Sequence, residues 1–483
     1  MNILVLNPPF VSRFSRTSRS PGVSLGGTLY YPFWLAYAVG VLEKSGFDVR
    51  FIDACADDYS LSQVTDLVSD FNPGLIVIDT STPSIYNDVR VAEHLKQIFP
   101  SSFIVFVGTH PSAIPEETLQ LSDKIDAVAV GEYDYTVRDL ANCLAKGQDL
   151  AGVDGLVHRK NGEILRNKNR ELIQNIDELP FVTQVYKKHL NIKNYFFGAS
   201  DYPMAMIITG RGCPHKCFFC VYPQTFHSRK YRPRSASSIV DEFEYVTENL
   251  PQVKEIGIED DTFTANQNRT IEFCRMIIER GIKIKWYCNV RVNLKLETMQ
   301  WMKKAGCHLI TVGFESADQD CLNQMRKGIT VEQIRAFVKN TKKARLLVHG
   351  CFIVGNPGET KETLEKSLKV AKELNCDTMQ FFPLIPYPGT EAYKWAKENG
   401  YLISEDYNNW ANEDGMYCSV LNLPGLSPTE ISVFCKRAVR EYHLRPRYII
   451  MKLKQIVFHP KEIARTIKGT MFFFKNFFSM SGK

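Results

Sequence analysis

Short apolar runs alternate with helix-spaced apolar positions through the first part of the chain. Five of these runs are rich in Val and Ile and end in polar residues or glycine, at 3–7, 49–53, 75–79, 103–108 and 127–132. Three segments between them repeat apolar residues at helical spacing, at 33–46, 86–98 and 137–147. Strands that are apolar on both faces and separated by helices are typical of a doubly wound parallel sheet. We therefore predict an α/β, Rossmann-like domain at residues 1–150.

A second series of strand-like runs begins near residue 204. Its members lie at 205–210, 253–260, 282–290, 308–316, 346–355 and 378–386, and amphipathic segments separate them. About six consecutive βα units predict a partial or full TIM-like (β/α) barrel at 201–386, with its chemistry at the C-terminal ends of the strands. Between the domains, 151–200 reads as a linker with a hairpin that turns on Asn161-Gly162. We expect 387–483 to be mainly helical.

The composition of the chain indicates which classes of protein it can belong to. The chain has 483 residues, 44% hydrophobic and 23% charged, as in a folded enzyme of several domains. A net charge of +6, with acidic residues in every region except the C-terminal end, argues against a nucleic-acid partner. The N-terminus lacks the charged region of a secretory signal, and no stretch reaches the ~20 apolar residues of a membrane span. We therefore expect a cytoplasmic protein whose 13 cysteines stay reduced.

Three cysteines stand close together directly after the first predicted barrel strand. Cys213, Cys217 and Cys220 form C-x3-C-x2-C in a loop that also contains glycine, proline and lysine. Thiolates are soft ligands that select zinc, Cu(I) or iron–sulfur clusters. A cubane cluster normally takes four thiolates, so three would leave one iron open to another ligand. The alternative is a structural zinc site closed by His215 or His227.

With Phe219 in the aromatic position, the motif resembles that of the radical SAM superfamily, C-x3-C-x-aromatic-C. The resemblance implies a [4Fe-4S] cluster on the three cysteines and S-adenosylmethionine (SAM) on the open iron. It also implies a one-electron reductant, such as flavodoxin or ferredoxin, and a 5′-deoxyadenosyl radical that abstracts hydrogen from the substrate.

Polar residues at the barrel strand ends fit the same resemblance. It implies that SAM contacts Phe219, Glu259, Asp260, Asn289, Arg291, Glu315 and Ser316. In the family the second strand end holds the methionine ammonium, and Arg291 is suited to the methionine carboxylate. Taken singly, each of the strand-end residues is also explained by helix capping.

The N-terminal domain resembles the cobalamin-binding domain of the B12-dependent radical SAM enzymes, and the resemblance runs from ILVLNPPF to PYPGTEAY. The chain lacks D-x-H-x-x-G, so no histidine is expected as lower axial ligand. The predicted contacts follow the strand ends: Asn7, Thr80, Ser81, Thr82, Gly108, Thr109, His110, Gly131 and Glu132. The alternative is a purely structural sheet. Only Cys55 and Cys143 precede residue 200, which argues against a second cluster of the methylthiotransferase kind.

The C-terminal tail bears on the substrate. Between 461 and 478, one helical face is rich in Phe and Ile, and the opposite face is rich in Lys and Arg. Such a helix either lies in a membrane interface or docks on the barrel. Membrane contact would favour a lipid-like substrate.

Together these features predict a cobalamin-dependent radical SAM enzyme that methylates an unactivated carbon of a lipid-like or other natural-product substrate. Two alternatives stay open. One is a radical oxidative cyclase of the anaerobic porphyrin-ester type, and the other is a non-catalytic, zinc-stabilised, cobalamin-binding sensor.

Overall fold

The computed structural model describes residues 1–24 and 26–458. Its first sheet has seven strands in the order β2-β1-β3-β4-β5-β6-β7. They are β1 (Asn2–Asn7), β2 (Asp48–Asp53), β3 (Leu75–Asp79), β4 (Phe103–Val107), β5 (Ala127–Ala129), β6 (Leu156–Lys160) and β7 (Glu163–Arg166). Pairing is parallel through β5 and antiparallel for β6 and β7. The predicted hairpin therefore extends the first sheet, and both of its turn residues, Asn161 and Gly162, have positive φ.

Helices cover both faces of this sheet. They are α1 (Phe33–Lys44), α2 (Ala54–Asp57), α3 (Leu61–Val68), α4 (Ile85–Ile98), α5 (Thr109–Ala113), α6 (Pro115–Gln120) and α7 (Asp134–Lys146). Alternate residues of β1 enter opposite cores, with Ile3 and Val5 in one and Leu4 and Leu6 in the other. This double burial explains the continuous apolar runs in the sequence, and it confirms the predicted doubly wound fold.

The second sheet is the predicted partial barrel. Six parallel strands lie in the order β15-β14-β13-β12-β11-β8. They are β8 (Met204–Ile207), β11 (Glu255–Ile258), β12 (Lys285–Val290), β13 (Cys307–Glu315), β14 (Leu347–Val354) and β15 (Thr378–Pro383). A separate antiparallel pair, β9 (Gly210–Arg211) and β10 (Arg232–Pro233), brackets the cysteine loop.

One helix of this half, α8, precedes β8, and the others come after it. They are α8 (Val182–His189), α9 (Tyr222–Thr225), α10 (Ala236–Asn249), α11 (Gln267–Glu279), α12 (Leu296–Lys304), α13 (Gln319–Gln324), α14 (Val331–Ala344) and α15 (Lys361–Leu374). Three more follow the last strand: α16 (Glu391–Glu398), α17 (Pro428–His443) and α18 (Pro446–Phe458). No helix within the described ranges is long and apolar enough to cross a membrane. The predicted amphipathic helix at 461–478 lies outside the described residues.

Helix α1 joins the two halves. Its residues from Phe33 to Leu42 are all buried, as expected of a helix that is apolar all round. The hydroxyl of Tyr31, just before it, donates to the carbonyl of Met204, and that of Tyr37 donates to the carbonyl of Ile208. One hydrophobic core runs through both halves, so the two sheets are held in a fixed relation.

Candidate functional site

The cysteine loop is placed by backbone geometry. Gly212 precedes Cys213 with a φ of 81°, and a β-carbon there would overlap the carbonyl oxygen of Lys230. Glycine is therefore required where the chain turns from β9 into the loop. Cys213 and Cys217 are buried, Cys220 is partly buried, and all three side chains border one large cavity.

The spacing of the three thiols distinguishes a cluster from a single ion. Cys213, Cys217 and Cys220 do not form a group in which every pair of sulfurs lies within 4.8 Å. Thiolates around one tetrahedral zinc would be about 3.8 Å apart, given a Zn–S bond of about 2.3 Å. Burial raises the pKa of the Cys213 and Cys220 thiols, so metal binding must supply the energy of deprotonation. The donor set fits a cluster that spans several ångströms.

The two histidines considered as zinc ligands do not border this cavity. His227 is buried, and its Nδ1 lies 2.9 Å from Oε1 of Glu132 in the first domain. His215 is partly buried, and its carbonyl accepts from Arg229. The arrangement disfavours a zinc site of three cysteines and one histidine.

Glu259, at the end of β11, borders the cavity and is oriented by two neighbours on β12. Its Oε1 accepts from the Tyr287 hydroxyl at 2.9 Å, and its Oε2 accepts from Asn289 Nδ2 at 3.0 Å. Arg19 reaches over from the first domain, donates to the Glu259 carbonyl and lies 3.4 Å from Oδ1 of Asp261. The Glu259 carboxylate is thus a fixed anion suited to a ligand ammonium.

Glu315 and Arg291 form the opposite wall with Lys327. Glu315 has a φ of 67°, and its Oε1 accepts from Lys327 Nζ at 2.6 Å. Its Oε2 is buried without a hydrogen-bond partner, which indicates a ligand donor in the cavity. Arg291 donates to the Lys327 carbonyl and lies 3.7 Å from the Cys217 sulfur. Phe219 also borders the cavity, with Lys327 Nζ 5.9 Å from its ring centre.

Two of the residues predicted to contact SAM are outside the cavity lining. Asp260 accepts from the backbone and the hydroxyl of Thr209, and it lies 3.9 Å from Arg269. The hydroxyl of Ser316 is fully buried and accepts from the backbone of Asp318. Asp260 therefore joins the ends of β8 and β11, and Ser316 starts the turn before α13.

The nine residues predicted to contact cobalamin lie at the C-terminal edge of the first sheet, but they do not border the large cavity. Asn7 donates to Asp53 and accepts from Arg16, while Ser81 bonds to Ser84. Thr82 Oγ1 lies 3.1 Å from His110 Nδ1.

The other members of this set lie close by. Gly108 has a φ of 117°, and a β-carbon there would overlap the carbonyl oxygen of Thr80, while Thr109 begins α5. The backbone amide of Gly131 donates to Ser112 Oγ, and Glu132 pairs with Arg232 and His227. The hydroxyl of Thr80 is buried without a partner, which fits a hydrogen-bonding ligand at this edge. The set stays a prediction.

Sequence reasoning missed the loop between β1 and α1. This loop supplies one wall of the cavity with small side chains: Ser15, Ser18, Ser20, Gly22, Ser24, Gly26 and Thr28. Gly26 is exposed, and a β-carbon there would meet no atom within 4 Å. A small-residue loop directly after the first strand of a doubly wound sheet is the signal that could have found it.

The cavity has a volume of about 770 Å³ and lies between this loop and the inside of the barrel. Its volume lies within the range of about 300–1,000 Å³ found for small-molecule sites. The three thiols and the fixed carboxylates share it, so a metal cluster, a charged cofactor and a substrate can meet there.

Comparison with known proteins agrees with this geometry. Residues 207–371 match the family model of the radical SAM superfamily, and residues 22–141 match that of the B12 binding domain. An uncharacterised methyltransferase of Pyrococcus horikoshii is 33% identical over 98% of both chains. The anaerobic magnesium-protoporphyrin IX monomethyl ester cyclase of Rubrivivax gelatinosus is 27% identical over 82% of this chain and 70% of the relative.

A solved structure shares the fold. The radical SAM methyltransferase TsrM of Kitasatospora setae, solved with tryptophan and a SAM analogue, superimposes with a TM-score of 0.69 at 17% identity. The match covers 90% of this chain and 88% of TsrM. With both domains matched in order and a full-length relative at 33% identity, the chain belongs to the cobalamin-dependent radical SAM enzymes, whose cofactors are a [4Fe-4S] cluster, SAM and cobalamin.

Proposed function

We propose that this enzyme transfers a methyl group to an unactivated carbon of a small molecule. The observation that carries the proposal is one cavity that borders both the three thiols and the small-residue wall of the B12-binding domain. When bound, the cluster and SAM supply a radical that removes a hydrogen atom, and cobalamin supplies the methyl group. The source of the radical, the source of the methyl group and the substrate all need access to a single space, and this cavity provides one.

The residues that border the cavity have different proposed roles, according to the chemistry of their side chains. Cys213, Cys217 and Cys220 would hold the cluster. Glu259, fixed by Tyr287 and Asn289, would accept the methionine ammonium, and Arg291 would donate to the methionine carboxylate. The unpartnered Oε2 of Glu315 is available to a further SAM donor.

In this proposal Asp260 and Ser316 do not contact SAM but position residues that do. Asp260 holds the end of β11 against Thr209, and Ser316 shapes the turn that follows Glu315. Both would position the neighbouring carboxylates that face the cavity.

Radical SAM enzymes require an electron donor. We propose a small acidic carrier such as flavodoxin or ferredoxin, because Lys216 in the cysteine loop and Lys230 further along the chain are both exposed. A cytoplasmic location fits the free cysteines of the described chain, which that compartment keeps reduced.

Oxidative cyclisation is a second candidate, favoured by the similarity to the porphyrin-ester cyclase. It would use the same radical step but no methyl transfer. The two reactions therefore differ in what they release from SAM.

The test uses cluster- and cobalamin-loaded enzyme with SAM labelled with carbon-13 in its methyl group, a reductant and a small-molecule extract. Methyl transfer predicts labelled product together with S-adenosylhomocysteine and 5′-deoxyadenosine. Release of 5′-deoxyadenosine with an unlabelled product, and without S-adenosylhomocysteine, would contradict methyl transfer and support cyclisation.

A further inference from the structure

The interior of the partial barrel is open along its whole length. Side chains at alternate positions of three neighbouring strands border the cavity: Leu309, Thr311, Gly313 and Glu315 on β13, Leu347, His349, Cys351 and Ile353 on β14, and Thr378, Gln380 and Phe382 on β15. From Leu309 to Glu315 the strand rises about 20 Å. Closed barrels of this type are filled by side chains in this position, so an open interior points to a ligand that extends away from the cluster.

The strands that line this channel contribute little charge. Among the described residues of β13, β14 and β15 that border the cavity, Glu315, at the C-terminal end of β13, is the only Lys, Arg, Asp or Glu. Burial lowers the pKa of His349 to about 4, which leaves that imidazole neutral at physiological pH. The channel therefore favours a long, uncharged, mostly apolar group.

Helix α18 forms the far mouth of the channel. Ile449, Leu453 and Ile456 border the cavity, together with Lys452, whose Nζ lies 3.9 Å from Oδ1 of Asp377. Two further apolar residues follow on the adjoining side, where the side chain of Ile450 is 52% exposed and that of Val457 is 71% exposed. The apolar surface thus continues from inside the channel to the outer surface of the protein.

The charged residues of α18 around this mouth are basic. Arg447 and Lys454 are exposed and border the apolar side of α18, which contains no acidic residue. From residue 445 to the end, the sequence has nine Lys and Arg and a single Glu. An apolar strip bordered by cations matches the surface of an anionic lipid bilayer.

We propose that the channel takes the apolar chain of a membrane lipid, which enters through α18 while that helix lies on an anionic bilayer. The proposal rests on the proposed function, because it names the substrate class of the same cavity. The carbon to be modified would lie at the thiol end, and the rest of the chain would extend along β13, β14 and β15 toward α18.

Two binding measurements on the full chain test the proposal without SAM or reductant, so a failure of the methylation proposal would not affect them. The first is sedimentation with phosphatidylcholine vesicles, with or without phosphatidylglycerol. We expect binding only to the anionic vesicles, weakened about tenfold by Val457→Glu. The matched control is Ile278→Glu on α11, a site 43% exposed and outside the cavity lining.

The second measurement is titration with cis-parinaric acid, a fluorescent fatty acid. We expect saturable binding that Leu347→Trp reduces by about tenfold or more, because the indole would fill the channel. Leu67→Trp, at an exposed position on α3, should bind as the unmodified chain does. Thr311→Phe fills the channel from β13 and replaces Leu347→Trp if that variant does not fold.

Either of two results would overturn the proposal. One is vesicle binding that is absent in the unmodified chain, or that is equal in Val457→Glu and Ile278→Glu. The other is fatty-acid binding that is absent, or that filling the channel leaves unchanged.

Discussion

At the scale of single residues, Glu259 is the most specific candidate for SAM recognition. Its carboxylate is fixed by Tyr287 and Asn289. Glu259→Gln keeps the shape but removes the charge, and a charge-assisted hydrogen bond contributes about 1.5–3 kcal/mol. We therefore expect SAM affinity to fall about 10- to 100-fold, measured by equilibrium dialysis with cluster-loaded protein. Glu279→Gln, at an exposed position on α11, is the control. Unchanged affinity in Glu259→Gln would contradict this role.

A second residue, Asp79, makes stability depend on pH. Burial raises the pKa of this carboxyl to about 7, although Arg16 acts in the opposite direction. In the unfolded chain the pKa of this carboxyl is about 3.9, so the folded state favours the protonated form. The stability that this form contributes is fully present below pH 3.9 and is lost as the pH rises through the folded pKa of about 7. Asp79→Asn should therefore raise the thermal midpoint more at pH 8 than at pH 5.

The comparison for this prediction is the exposed Asp66, whose replacement by Asn should change the midpoint little at either pH. An equal effect of Asp79→Asn at both pH values would show that its carboxyl titrates normally.

The residue scale also shows what the sequence predicts well. The motif formed by Cys213, Cys217 and Cys220 lies within one loop, so its spacing can be read directly from the sequence. Glu259 and Asp260 are adjacent at a strand end, yet Glu259 borders the cavity and Asp260 binds Thr209. The backbone is irregular where strands end, so the direction of each side chain depends on neighbouring strands that the sequence does not specify.

At the scale of elements, the turn before the cysteine loop requires glycine at position 212. Alanine there would adopt a positive φ and also overlap the carbonyl of Lys230. We expect Gly212→Ala to lose more than half of its bound iron after reconstitution, since the loop must move to relieve the overlap. Iron per chain is the measurement.

Gly46→Ala is a matched control for Gly212→Ala. Gly46 has a φ of 86°, but a β-carbon there meets no atom within 4 Å. Gly46→Ala should lose about 1 kcal/mol of stability from the backbone conformation alone and keep its iron. Equal iron content in both variants would contradict the assigned role of Gly212.

The elements themselves were largely predictable. The strands of both sheets are buried on both faces or alternate regularly, so their apolar pattern marks them. The short helices α2 and α3, between β2 and β3, lack a long repeat and were not predicted. The small residues between Ser15 and Thr28 that border the cavity lie in a loop, so they show neither helical nor strand periodicity.

At the scale of the whole molecule, a buried ion network joins the two domains. Glu132 of the first domain accepts from Arg232 and His227, and it lies 3.6 Å from Arg211. Burial alone would raise the pKa of Glu132, but these partners outweigh it and hold the pKa well below the usual value, so the carboxylate is ionised at neutral pH. Glu132→Gln should destabilise the protein by about 3–5 kcal/mol, because it leaves the buried Arg232 without a counter-charge, whereas Arg211 keeps Asp134.

Thermal unfolding checks this prediction. The control is Glu116→Gln, which breaks the exposed pair with Arg166 and should cost less than about 1 kcal/mol. Similar losses in the two variants would show that the interdomain network contributes no more than a surface ion pair. Neither the network nor the channel through the barrel was visible in the sequence, since each brings together residues far apart in the chain.

The central claim is that three thiolates hold a [4Fe-4S] cluster that binds and cleaves SAM. The most direct measurement is anaerobic reconstitution, followed by assay of iron, sulfide and 5′-deoxyadenosine formed with SAM and dithionite. We predict about four iron and four sulfide per chain with SAM cleavage, both lost in Cys217→Ala and kept in Cys143→Ala. Uptake of zinc alone, or SAM cleavage that survives Cys217→Ala, would contradict the account.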